Sequence, residues 1–280
     1  MYNDISARLL RAFAGRWVDR AETDTKRSMR KLTEYGLSFS SGSLKNFFLQ
    51  ARDILNDNRS PYYRLASEFI ANTDKQRISE FGICFGYYGF AREKKKIPNK
   101  LAVAVNGAEV PEPAALHQKL AEWDAHEAAI CYLFCEGTEP SAGELLAEVA
   151  LWPKRAFLIF ADDPEALKYS WPQNVMLLVN VDAPNFAAQT QALNEQRLLS
   201  GAWHRFDDAN AAETMSDAYL DSIHAAGVNF LLLLKGPDCT EECRRRVNDF
   251  CYKDKRKPRR PLFVAELFGD LASMNEWQSV

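Results

Sequence analysis

The chain has 280 residues, 47% hydrophobic and 26% charged, with a formal net charge of -3. Length and apolar content fit one large α/β domain with an added helical segment, or two modest domains. The near-neutral charge argues against a globally basic nucleic-acid binder. No apolar run approaches the roughly 18 residues needed to span a bilayer. The polar start, Met1-Tyr2-Asn3-Asp4-Ile5, does not read as a signal peptide, so a cytoplasmic location is expected.

Residues 1–96 read as helical. Leu9, Leu10, Phe13 and Trp17 recur at helical spacing. A second helix is expected over 25–35, stopping at Gly36 as a C′ residue. Ser43 is expected to cap a third helix carrying Leu44, Phe47, Phe48, Ala51, Ile54 and Leu55. Ser60-Pro61 opens a fourth, since proline suits the first helical turn, and a fifth covers 74–81. The segment 81–90, with glycines at Gly82, Gly86 and Gly89 among aromatics, reads as extended or as an irregular turn. It is not a dinucleotide fingerprint. Lys94-Lys95-Lys96 reads as a solvated linker rather than a phosphate site.

From Lys100 the pattern changes. Apolar runs at 101–105, 129–134, 156–160, 175–179, 201–206, 228–234 and 262–267 alternate with helical stretches at 114–126, 142–151, 164–169, 186–199, 216–226 and 241–252. Uniformly apolar runs indicate parallel strands covered on both faces. Repeated βα units then predict an α/β fold: a partial (β/α) TIM-like barrel of about six to seven parallel strands over 97–280. The helical region 1–96 precedes it. No eighth strand is legible before Val280.

In such folds the site lies at the C-terminal strand ends. The residues there are Asn106 and Glu109; Glu136 and Glu139; Asp162 and Asp163; Asn180 and Asp182; Asp207 and Asp208, with His204 inside the strand; Lys235 and Asp238; and Asp270, with Glu266 inside the strand. One reading is an acidic rim for an amine, a metal or a cationic peptide. The other is helix caps and turns, the usual work of Asp and Asn at these points.

Six cysteines occur, none in a C-x-x-C pair. Cys131 and Cys135 share a strand face and read as small core residues. Cys239 and Cys243, with Cys251, lie on or beside a helix at a spacing unusual for a cluster. Four scattered histidines do not suggest a zinc site, and no metal ligand is assigned. The basic stretch 244–260 reads as a solvated outer helix, with an RNA or acidic-partner surface as the alternative.

The strand pattern over about 97–270 resembles the radical SAM superfamily. Gly137-Thr138-Glu139-Pro140 looks like that family's Gly-Gly-Glu-Pro turn, with Thr138 replacing a glycine. The resemblance implies that Gly137, Glu139 and Pro140 would grip the amino group of S-adenosylmethionine. It places Asp162 at the end of the third strand, and Asn180 and Asp182 where the family contacts the ribose and carboxylate. The family also needs C-x-x-x-C-x-x-C after its first strand to hold a [4Fe–4S] cluster. Residues 106–113 contain no cysteine, and none occurs between Cys84 and Cys131.

The expected function is therefore a radical SAM-like barrel without cluster chemistry, acting as a non-catalytic binding or partner protein. No cofactor is expected, and the N-terminal helices are the expected protein interface. One alternative is an enzyme that binds S-adenosylmethionine, or another small molecule, at the rim through Glu136, Glu139, Asp162 and Asp182. A basic-surface RNA or acidic-partner module is the other.

Overall fold

The computed structural model describes residues 2–39, 42–86, 100–106, 113–125, 130–136, 141–161, 166, 168–267 and 269. It shows an α/β fold of parallel strands with a helical N-terminal region. The chain forms two compact units. The first comprises Met1–Arg16 with Asn72–Ser200, and the second Trp17–Ala71 with Gly201–Val280. The division falls inside the first helix, α1 (Tyr2–Thr23). The boundary expected between 96 and 97 lies outside the described residues.

The first unit holds four parallel strands in sequence order: β1 (Lys100–Asn106), β2 (Ile130–Glu136), β3 (Ala156–Ala161) and β4 (Val175–Asn180). Their register pairs Leu101 with Cys131, Cys131 with Phe157, and Phe157 with Val175. Between and after them come α6 (Pro113–Ala125), α7 (Ala142–Ala150) and α8 (Phe186–Glu195). Leu116, Leu120, Leu145, Val149 and Leu193 from these helices cluster with Cys131, Leu133, Phe157, Ile159 and Leu177. The alternate strand residues Ile130, Tyr132, Phe160 and Leu178 are buried as well. Both strand faces are thus covered, which explains the unbroken apolar runs. Each fully buried Phe, Ile or Leu contributes about 1.5–3 kcal/mol.

Cys131 lies in this core with Cys135 packed against it, as the shared strand face predicts. Burial pushes the Cys131 thiol up to about 12. Ser141 and Glu144 form a capping box that starts α7. Asp74 caps α5 (Lys75–Gly82) by accepting from the amides of Gln76 and Arg77 at 2.9 and 3.2 Å. Arg11 ties α1 to α5 through Glu80 at 2.8 Å.

The second unit holds β5 (Ser200–Phe206), β6 (Phe230–Lys235) and β7 (Phe263–Glu266), parallel and in sequence order. Its helices are α2 (Thr25–Phe39), α3 (Gly42–Asn56), α4 (Pro61–Asn72), α9 (Ala211–Thr214), α10 (Asp217–Ala225) and α11 (Glu241–Arg256). Phe69 of α4 meets Phe230 of β6 edge-to-face at 5.1 Å. The Tyr62 hydroxyl donates to the Lys255 carbonyl at 3.2 Å.

Four local expectations are corrected. Helix α2 runs through Gly36 to Phe39, because the Phe48 ring lies against the Gly36 backbone and only glycine leaves room for it. Ser43 lies inside α3, which begins at Gly42. Residues 83–86 are neither extended nor an irregular turn, but a π-helical turn continuing α5; 87–90 lie outside the described residues. Helix α8 ends at Glu195 rather than 199, since Arg197 takes a left-handed conformation (φ 54°). The Leu198 amide then donates to the Leu193 carbonyl and the Arg197 amide to Asn194, both at 3.0 Å. This is a Schellman closure with arginine where glycine is usual.

Candidate functional site

The second unit carries a pocket at the C-terminal ends of β5 and β6. β5 ends Trp203-His204-Arg205-Phe206, and β6 runs from Phe230 through the four leucines 231–234 to Lys235. Gly236 then donates its amide to the Phe206 carbonyl at 2.8 Å. A Cβ at Gly236 would stand 3.1 Å from that carbonyl oxygen, so a side chain there would crowd the junction.

The pocket is a shallow depression, largely open to solvent, of about 730 Å³, lined by Arg205, Lys235, Gly236, Pro237, Glu241 and Arg244. Three of these six carry positive charge and one carries negative charge. The Arg205 guanidinium lies 5.7 Å from the Trp203 ring. Glu241 accepts from Lys235 Nζ at 2.7 Å and from Arg244 Nε at 2.9 Å. The bonds from Lys235 and Arg244 hold its carboxyl below the usual carboxylate range. An anionic group arriving here meets half-buried cations at the ends of β5 and β6 and on α11, beside the two carboxylates, Glu241 and Glu242, of that helix's first turn.

Beside the pocket, the turn after β5 is built by Asp207, whose Oδ1 accepts from the amides of Ala209 and Asn210 at 2.9 and 3.1 Å. This places Asp208 against the start of α11. Asp208 Oδ1 accepts from the Thr240 amide at 3.1 Å and the Thr240 hydroxyl at 3.0 Å. Thr240 is the N-cap, and its Oγ1 accepts from the Cys243 amide at 3.2 Å. The Thr240 amide, followed by its hydroxyl and Cys243, keeps the Asp208 carboxyl low. Asp208, Cys239 and Cys243 place one oxygen and two sulfurs within 4.8 Å of one another. The sequence singles out Asp208 as a rim residue and the two cysteines as a pair, but nothing in it joins them. The turn after β5 and the cap of α11 do.

Of the residues assigned to S-adenosylmethionine, Gly137, Glu139, Pro140 and Asp162 lie outside the described residues. So do Glu109, Asp163 and Asp270. Asn180 ends β4 in the first unit and Asp182 follows it; Asn180 Oδ1 accepts from the Asp182 amide at 2.9 Å. Asn180, Asp207 and Asp208 thus make the turn and cap bonds expected of such residues. His204 is buried beside the Tyr219 ring at 5.5 Å, and Glu266 is buried and accepts from the Gly269 amide.

Several cations of the basic stretch have intramolecular work. Arg259 pairs with Asp217, Arg260 with Asp217 and Asp221, and Arg256 stacks on Tyr252 at 4.2 Å. Among the described residues, no helix is long and apolar enough to cross a membrane. Comparison with protein-family models, curated proteins and solved structures finds no match.

Sequence reasoning missed Arg205 and Glu241 as pocket residues. The available signal for Arg205 was its place next to the end of a strand whose other residues are mostly apolar. For Glu241 it was the Lys235-Gly236-Pro237 turn running into a Thr-capped helix.

Proposed function

We propose that the chain is a non-catalytic binding protein whose ligand is a small molecule bearing a phosphate or carboxylate, held in the pocket at the ends of β5 and β6. The observation that carries this reading is the convergence of Arg205, Lys235 and Arg244 on one open surface depression, with one carboxylate, Glu241, in its lining. Strand C-terminal ends beside a helix N-terminus are where parallel α/β folds take anionic ligands. The reading includes a partial (β/α) barrel of the radical SAM type, supported by the repeated βα units and the Gly137-Thr138-Glu139-Pro140 sequence. The missing C-x-x-x-C-x-x-C motif supports a role without cluster chemistry. A cytoplasmic location goes with it.

The test is a thermal-shift and calorimetric panel of pyrophosphate, AMP, a sugar phosphate, citrate and S-adenosylmethionine. Binding of the anions, weakened at least about ten-fold in R205A/K235A, is expected. Binding of S-adenosylmethionine alone, unchanged in that variant, would move the site to the strand-end residues of the first unit. No binding across the anions would end the reading.

A second reading, protein docking through the N-terminal helices, rests on Leu32 and Tyr35. They lie three apart on α2 and are 49% and 39% exposed. Affinity capture with wild type and L32E/Y35E as paired baits tests it: a partner held equally by both would refute this surface.

A further inference from the structure

We propose that Asp208, Cys239 and Cys243 form a binding site for one zinc ion at the N-terminus of α11. Two sulfurs and a carboxylate oxygen already lie within 4.8 Å of one another. Around a tetrahedral zinc, with Zn–S near 2.3 Å and Zn–O near 2.1 Å, such atoms stand about 3.5–3.8 Å apart. Small side-chain rotations close that gap, because the three residues are already held by the backbone around them.

That holding is specific. Cys243 sits in the first turn of α11, where helical geometry fixes its direction. Cys239 precedes the cap, and its amide donates to the Gly236 carbonyl at 3.3 Å. The Thr240 hydroxyl donates to Asp208 Oδ1 at 3.0 Å and accepts from the Cys243 amide at 3.2 Å. Thr240 thus links the carboxylate to the helix that carries one sulfur, as outer-shell groups around metal ligands do.

Burial, with Cys243 and Asp208 beside it, pushes the Cys239 thiol up to about 11, and Lys235 opposes this only in part. A bound ion must therefore itself displace the thiol protons. Both cysteines are buried free thiols, while Asp208 is exposed. An ion would arrive from the Asp208 side, leaving the fourth position to water. Two thiolates select zinc over magnesium or calcium, which prefer oxygen ligands. Cys251, also buried on α11, is not in the group. None of the three ligands lines the pocket, so this site stands or falls apart from the anion reading.

The test is anaerobic titration of the full, reduced chain with Co²⁺ and then Zn²⁺. Expected is one equivalent of cobalt with sulfur-to-cobalt charge-transfer and tetrahedral d–d absorption, bleached by one equivalent of zinc. C239S and C243S should each lose about half of the charge-transfer intensity, C239S/C243S should lose all of it, and D208N should weaken zinc at least about ten-fold. C251S should leave all of this unchanged. Absence of the band in wild type, or its full intensity in C239S, would overturn the proposal. If the buried cysteine variants fail to fold, wild-type alkylation decides the matter. Slower iodoacetamide labelling of Cys239 and Cys243 with zinc than without it supports the site, and equal rates refute it.

Discussion

Glu68 Oε2 on α4 and His224 Nε2 on α10 lie 3.0 Å apart. Arg64 adds a bond to Glu68 Oε1 at 2.6 Å. Burial alone would raise the Glu68 carboxyl, but the bonds from His224 and Arg64 outweigh it and hold the carboxyl below its ordinary value. A lowered carboxyl contributes stability above the unfolded-state value, and that contribution is lost as pH falls through the lowered folded one. E68Q should therefore cost under about 1 kcal/mol at neutral pH, since the pair is partly exposed. The wild-type and E68Q stabilities should converge at strongly acid pH. Urea unfolding across the pH range reads this, and a gap that widens on acidification would contradict it.

Arg260 predicts a larger effect. Its side chain is 6% exposed and bonds Asp221 Oδ1 at 2.8 Å as well as Asp217. Asp254 Oδ1 lies 4.0 Å away on the side chain's buried flank. Burial raises the Asp254 carboxyl while Arg260 opposes that rise. Removing the guanidinium by R260M leaves a buried carboxylate without its main counter-charge, which costs about 3–5 kcal/mol. The loss should be greatest at neutral pH and shrink as pH falls and Asp254 takes up a proton. D254N/R260M should recover much of it.

The strands were legible because parallel strands buried on both faces need unbroken apolar runs, and Phe157 to Phe160 or Leu231 to Leu234 have no other use. Helix ends were less so. Gly36 has the composition of a stop signal, but its reason is a ring from another helix. Arg197 ends a helix without the glycine that marks such ends. The site was half legible. Position at a strand end singled out Lys235 and Asp208, and spacing singled out Cys239 and Cys243. That Asp208 meets the cysteines depends on the turn at Asp207 and the cap at Thr240, long-range geometry that no local pattern encodes.

Gly36 separates propensity from packing. In an open helix, glycine to alanine gains about 1 kcal/mol. Here the Phe48 ring occupies the space a Cβ would need, so G36A should instead destabilise by about 1–3 kcal/mol. G36A/F48L should be less destabilised than the sum of the two single changes. Thermal unfolding of the four proteins measures this coupling, and strict additivity would refute the contact.

Arg197 gives the opposite case. Its left-handed backbone favours glycine, while its guanidinium donates to the Thr73 carbonyl at 3.3 Å. R197G should gain up to about 1 kcal/mol from the backbone and lose a similar amount with that bond. A net change within about 0.5 kcal/mol is expected. By contrast, G227A at the left-handed position after α10 (φ 89°) should cost about 1 kcal/mol, having strain and no compensation. A gain of about 1 kcal/mol in R197G, opposite in sign to G227A, would show that the Arg197 side chain plays no part.

Glu241 tests the sign of the pocket. Its carboxylate accepts from both Lys235 and Arg244, so an incoming anion must compete with it for the same donors. E241Q keeps the shape and removes the charge. Pyrophosphate should then bind about three- to ten-fold tighter, equivalent to about 0.7–1.4 kcal/mol. Added salt should weaken binding in both proteins, because the contacts are charge-based and near the surface. Calorimetry at two salt concentrations separates the outcomes. Weaker pyrophosphate binding in E241Q would mean that Glu241 serves chiefly to hold Lys235 and Arg244 in place, and the competition argument would fail.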